Sequence, residues 1–129
     1  MLLARLNYSK RNIRADKTVR PEALIPYPHR GLSVTNATNQ TQAEVWAAGL
    51  RIQDARNAAN PSAPNITLDG RIDLDSSAYL QQGLQIEAEP IPEDCHHMNI
   101  NGWQETKPAQ KEIAQKLAAQ AQYIAYGGV

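Results

Sequence analysis

The chain has no phenylalanine, only two tryptophans and a single cysteine among its 129 residues. One cysteine excludes a disulfide framework and suits a reducing compartment. Aromatic residues amount to 5%, and alanine supplies much of the 42% apolar content, so a modest core with few large anchors is expected. A chain of this length buries roughly two-thirds of its unfolded surface and is expected to fold as one domain, residues 1–129. No apolar run approaches the roughly 18 residues of a membrane span, so no membrane partner is expected. The opening Met1-Leu2-Leu3-Ala4-Arg5-Leu6 meets a charge too early for a secretory leader, which makes the cytoplasm the expected location.

Phosphate- and cofactor-binding signatures are missing as well. Gly70 stands alone, Gly127-Gly128 falls at the end of the sequence, and Ser33, Ser76 and Ser77 belong to no nucleophile pattern. Neither ATP nor a dinucleotide cofactor is therefore expected. The densest polar group, Glu93-Asp94-Cys95-His96-His97, sets its candidate ligands side by side, where they do not converge on one tetrahedral ion. No second Cys or His pair completes a ligand set, and no metal is expected.

Thirteen basic and 13 acidic residues cancel, so no global field advertises nucleic acid or an acidic surface. Their distribution is uneven. Seven Lys/Arg stand against Asp16 and Glu22 within residues 1–30, an excess of five, and the rest of the chain carries an equal negative excess. A basic amino-terminal segment of about 20 residues on an acidic body makes Lys10, Arg11 and Arg14 binding candidates. Residues 5–20 are the candidate nucleic-acid arm.

Along the chain, Leu2–Leu6 has the makings of a strand with weak alternation. Pro21, Pro26 and Pro28 predict an ordered extended connector rather than a helix. Leu32 and Val34 share one face of a short strand over 31–35. Thr41-Gln42-Ala43-Glu44 has the capping-box spacing, and Val45, Gly49, Ile52 and Ala55 follow at helical intervals, which predicts a helix from about 42 to 58. Gly49 inside it costs ~1 kcal/mol relative to alanine and predicts a close contact there.

Asp69-Gly70 between two apolar runs, Ile66–Leu68 and Arg71–Leu74, allows a small hairpin, the alternative being that the second run leads into a helix. Asp75-Ser76-Ser77 supplies the cap of a two-turn helix ending near Gln82, with Gly83 as its left-handed terminator. Strands follow over 84–88 and 97–101, the second with Met98 and Ile100 on one face and His97, Asn99 and Asn101 on the other. From Pro108, a stripe of Ile113, Leu117, Ala121 and Ile124 predicts a long helix stopped by Gly127-Gly128. The order predicts an α+β domain: a small mixed or antiparallel sheet with the two long helices packed on one face.

Several words recur in a recognisable order and spacing: Val19-Arg20-Pro21-Glu22-Ala23, Leu32-Ser33-Val34, Val45-Trp46 with Gly49, Gly70-Arg71-Ile72-Asp73, and Gly83-Leu84. The longest is His97-Met98-Asn99-Ile100-Asn101-Gly102-Trp103, followed by Lys107-Pro108-Ala109-Gln110-Lys111. Over roughly residues 13–120 they resemble a family of small uncharacterised bacterial proteins with the pattern V-R-P-x-A … L-S-V … G-R-A-D … H-A-N-I-x-G-W … K-x-x-Q-K. This chain departs from that pattern at Gln104, Leu24 and Ile72, where the family has Pro, Phe and Ala. The resemblance implies one bacterial domain and brings no activity with it.

His97 is the natural acid–base candidate, with Asp73, Asp75 or Asp69 as the partner that would fix its tautomer and Arg71 as an anion holder. Asn99, Trp103 and Lys107 are candidate ligand contacts. The structural alternative has His97 and Asn99 bonded to the backbone of the proline-rich connectors, Arg71 paired with Asp73, and both tryptophans packed. On balance the sequence predicts a non-catalytic interaction module, an accessory subunit of a bacterial assembly with a protein partner. The alternatives are a small hydrolase or nuclease using His97, Asp73 and Arg71, and nucleic-acid binding through the basic arm.

Overall fold

A computed structural model describes residues 1–127; Gly128, expected to help stop the last helix, lies outside the described residues. Six strands, β1 (Leu2–Asn7), β2 (Leu32–Asn36), β3 (Gly70–Asp75), β4 (Gln85–Ala88), β5 (His97–Asn101) and β6 (Gln122–Ala125), form one sheet in the order β4-β5-β2-β1-β3-β6. Every pairing is antiparallel. Helices α1 (Gln42–Ala59), α2 (Ser76–Gln81) and α3 (Lys107–Ala118) complete the expected α+β class.

The weak alternation of residues 2–6 has a plain cause: β1 lies inside the sheet and both of its faces are covered. Leu3 joins Leu24, Leu32, Ile72, Tyr79 and Leu117 in one core, while Ala4 and Leu6 join Val45, Trp46 and Leu68 in a second on the other side. Helix α3 belongs to the first core and α1 to the second, so the two long helices cover opposite faces and not the same one. A sheet with apolar side chains on both faces needs a layer on each. The basic amino-terminal segment is accordingly no free arm: its first third is a central strand.

Helix α1 begins as its sequence predicts. Thr41 accepts from the Glu44 amide while the Glu44 carboxylate accepts from the Thr41 amide, a complete capping box. The expected close contact at Gly49 is with the Leu68 and Leu6 side chains, and its carbonyl accepts from the Tyr8 hydroxyl at 2.7 Å. Asp75 caps α2, and Gly83 takes the left-handed conformation (φ 77°) that ends it.

Three expectations about local structure are corrected. Residues 21–24 are a short 3₁₀ helix and not extended chain; its Ala23 and Leu24 are buried, and Glu22 pairs with Lys111 of α3 at 3.4 Å. No hairpin forms at Asp69-Gly70; the second run, as β3, leads straight into α2, the alternative reading. The α1 side chains Asn57 and Gln53 bond the backbone of Ile66 and Leu68, which leaves that run no need of a strand partner. The helical stripe ends at Ala118, and Ile124 belongs to β6. There the chain pairs with the outer edge of β3, where Gly70 leaves room for the Ile124 carbonyl and the Tyr123 ring.

Candidate functional site

The sheet is incomplete at its centre. Strands β1 and β3 share six register pairs, but β1 and β2 share only Leu3↔Asn36 and Ala4↔Thr35 before they part. Arg5 fills the fork. Its Nη1 donates to the Ser33 carbonyl at 2.9 Å and its Nε to the Ala23 carbonyl at 3.4 Å, so side-chain donors replace part of the missing ladder.

Above the fork lies a hollow of about 370 Å³, within the size range of small-molecule sites. Its walls are Leu6, Tyr8 and Val34 from the strands, the carboxy-terminal half of α1 (Ile52, Ala55, Arg56, Ala59) and the loop after β4. Glu89, Ile91, Glu93, Asp94 and His97 close the remaining side. Burial holds the Tyr8 phenol up at about 12, and the Arg56 guanidinium sits 5.4 Å above its ring. Burial also lowers the Arg5 guanidinium from its usual value, since a charged group is disfavoured away from bulk water.

Asp94 is the unusual member. It is 2% exposed; its Oδ1 accepts from the His96 amide at 3.0 Å, but its Oδ2 is buried with no partner. A buried acceptor left unpaired costs about 1–3 kcal/mol, more for a carboxylate. Arg5 is the complementary case, because among the described residues no carboxylate pairs with its guanidinium.

The residues singled out from the sequence fall in separate places. His97 is 6% exposed and lines the hollow, with Nδ1 2.7 Å from the Glu89 carbonyl. That bond anchors the Pro90-Ile91-Pro92 loop, the structural role weighed for it above. Arg71 and Asp73 lie on β3, separated from β5 by the two strands β2 and β1, and grip each other: Nε to Oδ1 at 2.8 Å and Nη2 to Oδ2 at 2.9 Å, with Nη1 donating to Gln42. The three do not converge.

Asn99 donates to Asn101 at 3.0 Å, and the pair lies over Gly31, where a Cβ would strike the Asn99 amide. Trp103 packs against the main core with its indole N–H on the Ile100 carbonyl at 2.9 Å; it also lines a second, wider cleft with Tyr27 and His29. Lys107 is exposed at the start of α3. Lys10 and Arg11 are exposed on a 3₁₀ turn, while Arg14 donates to Thr18 and to the Val19 carbonyl. Among the described residues no group of three His, Cys, Asp or Glu is placed to hold a metal.

Arg5 and Asp94 escaped the sequence reading as site residues. In sequence the first belongs to the basic segment and the second to the polar run Glu93–His97, and no local pattern announces that a fork between strands and a loop 89 residues later share one hollow. No helix among the described residues is long and apolar enough to cross a membrane. No protein-family model matches the chain, and no similar protein was found among curated proteins or among solved structures.

Proposed function

We propose that the protein is a non-catalytic binding module and that the hollow at the β1–β2 fork takes a small organic ligand. The observation that carries this reading is the fork itself. Two central strands give up their ladder after two register pairs, and the space opened is a hollow with mixed apolar and charged walls rather than packed core. A non-catalytic role is supported by how the acid–base candidates are occupied. His97 is engaged by the connector backbone, and Arg71 and Asp73 by each other and Gln42. In an accessory subunit such a hollow serves to carry or sense a ligand for a larger partner.

The test is a thermal-shift screen of the full chain against a library of small metabolites, run beside Ala55→Trp, which puts an indole into the hollow. The reading expects metabolites that raise the melting temperature of the parent and not of Ala55→Trp. Ligands that stabilise both alike, or none that stabilise the parent, would overturn it.

A further inference from the structure

We propose that the ligand of the hollow is a small amino-carboxylate, an amino acid or close analogue, its ammonium on Asp94 and its carboxylate on Arg5. The inference rests on the binding reading above and adds the ligand's chemical class.

Two opposite charges line the same hollow, and neither meets an opposite charge among the described residues. The Asp94 Oδ2 is buried without a donor, and its other oxygen is already taken by the His96 amide. Arg5 gives Nε and Nη1 to neutral carbonyl oxygens and has no acceptor for Nη2 among the described residues. The two do not pair with each other. An anion alone would leave Asp94 uncompensated, and a cation alone would leave Arg5 so. A neutral ligand would leave both. An ammonium brings donors to the carboxylate, and a ligand carboxylate matches the planar donor set of a guanidinium. In the same hollow Leu6, Val34, Ile52 and Ile91 offer apolar surface for an aliphatic side chain. A divalent metal does not fit the same place, since no three-ligand group exists among the described residues.

The experiment is calorimetric titration of the full chain with each proteinogenic amino acid, then with the N-acetyl and methyl-ester forms of any that bind. At least one amino acid should bind. Acetylation and esterification should each weaken it at least tenfold, and Asp94→Asn should weaken it at least tenfold while raising the melting temperature of the ligand-free chain. Should Asp94→Asn not fold, the acetyl and ester series on the parent decides alone. Blocked forms that bind as tightly as the parent compound, an unchanged affinity in Asp94→Asn, or no binding by any amino acid would overturn the proposal. If other metabolites then still bind in a manner Ala55→Trp abolishes, the hollow remains a binding site and only the ligand class is wrong.

Discussion

His97 and Asp73 stand in one cross-strand row, on the same face of the sheet, with Thr35 and Ala4 between them. At about 4.8 Å per strand, three spacings set them roughly 14 Å apart, far beyond the ~3 Å over which a carboxylate orients an imidazole. Thr35 and Ala4 are both buried, so nothing small enough to bridge the gap enters between them. The pairing that would make His97 a base is thus replaced by two separate structural clasps.

The clasp on β3 has a measurable signature. Asp73→Ala leaves the buried Arg71 guanidinium without its carboxylate and is expected to cost about 3–5 kcal/mol in urea unfolding. Arg71→Met combined with Asp73→Leu removes both charges and should cost far less than the single change. Equal costs would mean that the pair is not coupled.

For His97 the two roles predict opposite things. As the anchor of the loop after β4, His97→Ala should lose at least about 1 kcal/mol of stability and speed amide exchange over residues 89–94. A catalytic histidine would instead leave melting nearly unmoved while an activity disappears.

The nucleic-acid alternative is decided by salt. Replacing Lys10, Arg11 and Arg14 by alanine abolishes binding if those side chains grip phosphates, and the parent's affinity should then fall steeply as salt rises. The ligand-binding account expects no specific duplex or single-strand binding at physiological ionic strength, and metabolite binding untouched by the triple change.

Acid should loosen the helix starts. The Glu44 carboxyl is held below its ordinary 4.5 by hydrogen bonds from Thr41, and the Asp75 carboxyl below its ordinary 3.8 by those from Ser77. Because both folded values are depressed, their stabilisation is complete above the unfolded values and is lost as pH falls through the folded ones. The gap in melting temperature between the parent and a Glu44→Gln, Asp75→Asn double variant should be constant from neutral pH to about 5 and close as pH falls below 4.5. A gap that persists at pH 2 would place the effect elsewhere.

Local chemistry was legible where one turn of chain contains the whole interaction. The Thr41–Glu44 box, the Asp75 cap, the left-handed Gly83 and the Arg71–Asp73 pair all lie within three residues or at a single position, and each appears as its spacing predicts. What depends on distant partners was not legible. Ile124 continues a helical stripe by count, yet the unpaired edge of β3 claims it for a strand. The hairpin at Asp69-Gly70 gives way because the distant α1 side chains Asn57 and Gln53 take up the backbone of Ile66 and Leu68. Arg5 and Asp94 look like an arm cation and a loop acid until the sheet brings them to one hollow. Helix placement failed for the same reason, since Leu3 and Ala4 are neighbours in sequence but belong to different cores.

The most direct measurement is an amide-resolved NMR titration of the isotopically labelled chain with a low-molecular-weight cell extract. The account predicts shifts confined to the fork and its rim, at Arg5, Leu6, Ser33, Ala55, Asp94 and His97. Shifts centred on Lys10 and Arg11, on the β4 edge or on the Trp103 cleft, with the fork silent, would contradict it.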